Sequence, residues 1–189
     1  MFSCDYGNYI ALSNTMSKND HIELKNIIEK EIGLKTRIAS IVHPHPLTAQ
    51  LIASRILLES SRDFYYDEKD EDEIVLMIIR LRKHDMLGHG TSVFEKFTDL
   101  MIQYASLLNI IQSYGGIAGY LGRSDVLAVL PLNSYREFTK VLPEYYNVGV
   151  GIALNARKAL ALAKKALKDS LSVKHEKRIV VYSDDKVLE

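Results

Sequence analysis

Tyr114–Leu132, YGGIAGYLGRSDVLAVLPL, is the stretch that decides the fold. Two apolar runs, Ile117–Leu121 and Val126–Leu130, flank a polar tip, Gly122-Arg123-Ser124-Asp125. Glycine supplies positive φ, and Ser and Asp hydrogen-bond their own backbone, so the stretch predicts a β-hairpin. Asp125 is the only carboxylate at its tip.

Upstream, Ile74–Leu81 (IVLMIIRL) is a nearly continuous apolar run and reads as a buried central strand. Ser92-Val93-Phe94-Glu95 is a capping box that opens a long helix to about Gln112. Downstream, Ser134-Tyr135-Arg136-Glu137 has the same form and predicts a short helix ending before Pro143. Tyr146–Leu154 reads as a strand containing Gly149 and Gly151, Asn155 caps a helix over Ala156–Leu171, and Lys177–Tyr182 is a last strand. The order is β-α-β-β-α-β-α-β, whose first six elements follow the ferredoxin-like order.

The beginning of the chain echoes part of this pattern. Tyr9–Ser13 reads as a strand after the turn Asp5-Tyr6-Gly7-Asn8, Lys18–Ile32 as a helix stopped by Gly33, and Lys35–Val42 as a strand. His43-Pro44-His45-Pro46 is a stiff turn into a helix over Leu47–Ser61, with Leu47, Leu51, Ile52, Ile56 and Leu58 expected mainly inward. Arg62–Glu73 (RDFYYDEKDEDE) is dense in acids, has no aliphatic residue, and reads as a solvated linker. The expected organisation is therefore α+β: tandem ferredoxin-like or palm (GGDEF-like) domains with antiparallel sheets. Residues 1–61 form an incomplete first copy, 62–73 the acidic linker, and 74–189 a complete second copy. The first copy is expected to lack the opening strand, the long helix and the first hairpin strand.

Composition narrows the function. The chain has 189 residues, 47% hydrophobic and 25% charged, enough for a sizeable core. Lys plus Arg and Asp plus Glu are 24 each, so no global field draws the chain to DNA or to an anionic membrane. A single cysteine, Cys4, excludes an intramolecular disulfide framework and agrees with a reducing, cytoplasmic setting. No apolar run approaches transmembrane length.

Few residues carry chemistry on their own. G-x-x-D at the tip is an ordinary turn as readily as a site. Arg80, Arg82 and Arg123 are candidates to clamp phosphate directly, with surface charge as the plain alternative. Gly149 and Gly151, followed by Asn155, Ala156 and Arg157 at a helix start, suit an anion at a helix N-terminus; the glycines equally permit close strand–helix packing. His43 and His45 have metal-like spacing, but no third ligand accompanies them and a rigid turn is the plainer reading.

Several stretches resemble the archaeal type III (IIa) GTP cyclohydrolases, which are tandem palm-like proteins. They are TSVFEKF at Thr91–Phe97, GGIAGYLG at Gly115–Gly122 and VGVGIALNARKAL at Val148–Leu160, with DYGNYIALSN at Asp5–Asn14 and HPLTAQL at His45–Leu51 in the first copy. The resemblance implies hydrolysis of GTP to a formamidopyrimidine nucleotide with release of pyrophosphate, a need for Mg²⁺, and activation by monovalent cations. It implies GTP or a related purine nucleotide and further copies of the chain as partners. Carried over residue by residue, it places nucleotide contacts on Asn8, Gly122, Gly149, Gly151, Asn155 and Arg157; Arg80 and Arg123 join them as the candidate phosphate clamps, and Asp125 is left as the candidate catalytic carboxylate.

The same carry-over departs from the family at the metal. The first-strand aspartate position holds Arg80, the tip aspartate position holds Ser124, and Asp125 is displaced by one residue. Arginine brings a fixed positive charge where a divalent cation would sit. Three readings follow: a divergent cyclohydrolase, a nucleotide-binding paralogue without turnover, and a structural partner of an intact paralogue.

Overall fold

The computed structural model describes residues 2–5, 7–81, 92–122, 124–172, 178–184 and 187–188. The chain divides into two compact units, Met1–Asp72 and Glu73–Glu189.

The N-terminal unit opens with strands β1 (Phe2–Asp5) and β2 (Asn8–Ile10), paired antiparallel. Helix α1 (Lys18–Ile32) begins at a capping box: Ser17 Oγ accepts from the Asp20 backbone N–H, and the Asp20 carboxylate accepts from the Ser17 N–H at 2.7 Å. Strand β3 (Ile38–Ser40), helix α2 (Pro46–Glu59) and strand β4 (Phe64–Tyr66) form a β-α-β unit with β3 and β4 parallel. The His-Pro turn is self-contained: the His45 N–H donates to His43 Nδ1 at 3.0 Å, and Pro46 starts α2.

Three expectations are corrected here. The first copy does possess its first hairpin strand, β1; the four residues FSCD carry no periodic pattern that would show it. The segment expected to be a linker contains β4, because Phe64-Tyr65-Tyr66 has aromatic strand propensity and the acids begin only at Asp67. On α2, Leu51, Ile52 and Leu58 are exposed rather than inward. Among its described residues the first copy shows no counterpart of the second copy's opening strand, long helix or last short strand. Among its described residues no apolar side chain is buried, whereas His21 is, at 3% exposure. Its Nδ1 bonds the Ser17 carbonyl at 2.8 Å, its Nε2 bonds Ser13 Oγ at 2.8 Å, and its ring meets Tyr66 edge-on.

The C-terminal unit runs β5 (Ile74–Leu81), α3 (Val93–Ser113), β6 (Ile117–Gly122), β7 (Asp125–Leu130), α4 (Tyr135–Val141), β8 (Tyr146–Ala153), α5 (Ala156–Ser170), β9 (Ile179–Ser183) and β10 (Val187–Leu188). One six-stranded sheet has the order β10-β9-β8-β5-β7-β6, with β5 antiparallel to both β7 and β8. Strand alternation puts Val75, Met77 and Ile79 on one face, where Leu107 and Ile111 of α3 and Phe138 of α4 complete the core. Helix α5 covers the other face. It lies so close that a Cβ on Gly149 would collide with the Ala163 carbonyl, and one on Gly151 with that of Ala159. Alanines 159, 163 and 166, all fully buried, make that approach possible.

The capping box at Ser92 forms as expected; the one at Ser134 does not. Ser134 Oγ instead donates to the Tyr114 carbonyl at 3.0 Å, tying the end of α3 to the start of α4. β10 was not anticipated; it pairs antiparallel with β9.

Candidate functional site

The hairpin folds as expected but more tightly. β6 runs through Gly122 and β7 starts at Asp125, so Arg123 and Ser124 alone connect them. Gly122 has φ 96°, a left-handed conformation that disfavours any side chain. Arg123 itself, like Arg82 and Asp85, lies outside the described residues.

Asp125 stands directly opposite Arg80 in the β5–β7 ladder. The guanidinium donates twice, Nε to Oδ1 at 2.6 Å and Nη2 to Oδ2 at 2.5 Å. This is the two-pronged geometry that makes arginine–carboxylate pairs specific. The Asp125 hydrogen bonds raise the Arg80 pKa above its ordinary value, so the cation persists at every working pH. On the other side of Arg80, β8 presents Asn147, buried, whose Nδ2 donates to the Ser170 carbonyl at the end of α5 at 2.9 Å. Sequence reading passed over Asn147; the signal was a lone amide in an otherwise apolar strand.

Ser124 belongs to the opposite face. It lines a shallow pocket with Ile79, Gln103, Tyr104, Tyr120 and Tyr146. Gln103 Oε1 is buried there and unpaired among the described residues. Burial, then the neighbouring Tyr145, pushes the Tyr146 phenol well above its ordinary pKa, so it stays neutral. The one-residue displacement noted in the sequence thus has a geometric meaning. Moving a carboxylate from position 124 to 125 moves it from the α3 side to the α5 side, into the grip of Arg80.

These residues do not fit Mg²⁺. That ion takes about six oxygen ligands in near-octahedral geometry. Both oxygens of Asp125 are engaged by a cation, position 80 supplies no oxygen, and Ser124 is neutral and faces away. Among the described residues no group of three or more His, Cys, Asp or Glu side chains gathers elsewhere.

The remaining candidates are not brought to this place. Asn155 and Arg157 follow the far end of β8, roughly 25 Å along the strand from the Arg80 end. Asn155 Oδ1 already accepts from the N–H groups of Arg157 and Lys158, which occupies the donors an anion would use. Gly149 and Gly151 are covered by the α5 backbone, so the packing alternative holds for them here. Asn8 lies in the N-terminal unit, paired with Asp5 across the β1–β2 hairpin.

A hairpin whose second strand pairs with the end of a central strand, in this sheet order, defines a palm-type domain. The family model of GTP cyclohydrolase III matches residues 1–184, and the chain belongs to that family. It is 28% identical over 166 residues to the GTP cyclohydrolase III of Aeropyrum pernix, covering 86% of this chain and 69% of that one. With the GTP cyclohydrolase III of Saccharolobus solfataricus it shares 25% over 167 residues, covering 86% and 71%. Among solved structures, the diguanylate cyclase SiaD in complex with its activator SiaC from Pseudomonas aeruginosa is 16% identical with a TM-score of 0.46, covering 87% and 68%. A bacterial light-regulated adenylyl cyclase is 12% identical with a TM-score of 0.40, covering 58% and 74%. No helix among the described residues is long and apolar enough to cross a membrane.

Proposed function

We propose that this chain is a guanine-nucleotide-binding member of the GTP cyclohydrolase III family that does not carry out Mg²⁺-dependent hydrolysis of GTP. The observation that supports this reading is the two-pronged Arg80–Asp125 pair. A divalent cation at that place would have to displace a guanidinium from the one tip carboxylate, and would then meet its full positive charge. In this reading the tip cations, Arg80 and Arg123, take over phosphate contacts, and Asp125 orients Arg80 instead of holding a metal. Family membership supports the purine nucleotide; the altered charge at the tip supports the loss of metal.

Incubation with GTP, Mg²⁺ and K⁺ followed by mass spectrometry is expected to return GTP unchanged. Accumulation of the formamidopyrimidine product at enzyme-like rates overturns the reading. Calorimetric titration with GTP is expected to give the same affinity with Mg²⁺ and with a chelator. Binding only in the presence of Mg²⁺ restores the divergent-enzyme alternative.

A further inference from the structure

We propose that Ser13 is an activated nucleophile with His21 as its base, and that this pair cleaves small uncharged acyl esters. The inference is independent of nucleotide binding and of the hairpin tip.

The hydrogen bonds of His21 define its chemistry. Nδ1 lies 2.8 Å from the Ser17 carbonyl oxygen, which can only accept. Nδ1 therefore carries a proton, and in the neutral ring the lone pair is on Nε2. That lone pair faces two hydroxyls, Ser13 Oγ at 2.8 Å and Ser40 Oγ at 3.2 Å. A single lone pair accepts one proton, and Ser13 is the nearer donor. The outcome is a hydroxyl bonded to a base whose other nitrogen is held by a third group, which is the arrangement that activates a serine. The Tyr66 ring, edge-on with centroids 5.1 Å apart, fixes the imidazole plane. Access is divided to suit: His21 is buried, whereas Ser13 is only partly so.

The backbone beside Ser13 is aimed with some strain. Ser13 lies in the connection between β2 and α1, where Thr15 has φ 73°, a left-handed conformation unusual for a β-branched residue. The Met16 N–H donates to the Ser13 carbonyl at 3.0 Å, the Tyr66 hydroxyl donates to the Met16 carbonyl at 3.2 Å, and the Thr15 N–H donates to the Glu71 carboxylate. Strain pinned from several sides is typical of places where a side chain has a task.

Charge selects the substrate class. Around the serines stand the carboxylates of Glu71 on Thr15 and Asp20 on Ser17, and Asp67 donates its N–H to the Ser40 carbonyl. The lysines on α1 one turn either side of His21 are already paired, Lys18 with Glu68 and Lys25 with Glu29. Such a surrounding repels phosphate esters and tolerates a neutral acyl group. Ser13 Oγ attacks the ester carbonyl carbon as its proton passes to Nε2, and the Ser40 hydroxyl donates to the oxygen that turns negative. The bond from the carbonyl carbon to the alcohol oxygen then breaks, and Nε2 returns the proton to that oxygen. Water attacks acyl-Ser13 with the same base, which releases the carboxylic acid and restores the hydroxyl.

The probe is p-nitrophenyl acetate added to the full chain. A burst of about one p-nitrophenol per chain is expected, with the acetyl group located on Ser13 by peptide mapping. Ser13→Ala is expected to abolish the burst, and His21→Gln to slow it about 100-fold or more. Because His21→Gln endangers the seating of α1, the unaltered chain supplies a second readout. Its burst rate is expected to rise between about pH 5 and pH 8 and then level off, as a histidine base requires. Absence of a burst overturns the proposal, as does a burst that survives Ser13→Ala. So does acetyl found on Ser40 or scattered over lysines, or a rate that keeps climbing beyond that pH range.

Discussion

The two units of this molecule use one plan with opposite outcomes. The second closes around β5 and buries an apolar core on both faces of the sheet. The first repeats the flanking elements, shows no central strand among its described residues, and holds its helix to its strands through His21, two serines and a tyrosine. The difference teaches where a palm sheet gets its stability. Turns, caps and strand pairs are present in the first unit, but apolar burial is not among its described residues.

The comparison can be broken most sharply in the second core. Phe138→Ala, at a fully buried site, is expected to cost about 3–5 kcal/mol, read as a shift in the denaturant midpoint. A contrasting change in the first unit, Leu58→Ala at 85% exposure, is expected to stay within about 0.5 kcal/mol. Equal effects would dissolve the distinction. Gly151→Ala comes next, because its methyl would press on the α5 backbone, which cannot yield as a side chain can; about 1–3 kcal/mol or more is expected by thermal melting.

At the hairpin, Arg80→Met leaves Asp125 without its partner, and about 1 kcal/mol or less is expected, since the arginine is over one-third exposed. The more telling substitution is Arg80→Asp. It sets two carboxylates opposite each other on one face, and calorimetry is expected to show Mg²⁺ binding to this variant and none to the unaltered chain. If neither protein binds the ion, the charge at position 80 is not what excludes it.

The smallest effect is in pH. Hydrogen bonds from Ser17 hold Asp20 below its ordinary pKa, and those from Ser92 do the same for Glu95. Depressed carboxylates stabilise the fold above their ordinary pKa, and that contribution fades as pH falls through the lower folded value. A small loss of helicity at α1 and α3 is therefore expected below about pH 4, by circular dichroism.

Much of this was legible in the chain. Ile74–Leu81 and Lys18–Ile32 matched their elements at both ends, because a continuous apolar run and a helical stripe closed by glycine are strong local signals. The short strands β1, β4 and β10 were not legible, since two to four residues carry no period and pairing alone defines them. At the site, the residue types were visible but their sides were not. Nothing in GRSD says that Ser124 and Asp125 look in opposite directions, or that Arg80 meets the second. Likewise, Gly149 and Gly151 could be read for a ligand or for a helix, and only the position of α5 separates the two.

The two-residue connection between Gly122 and Asp125 makes the tip sensitive to length as well as to composition. One residue inserted there would shift the succession of side chains and turn a different group toward Arg80. A single codon gained or lost, with no exchange of amino acid, would then suffice to redraw the charge map of this end of the sheet. Divergence at such a tip proceeds in jumps, and a comparison of relatives position by position would overlook it wherever the alignment hides the gap.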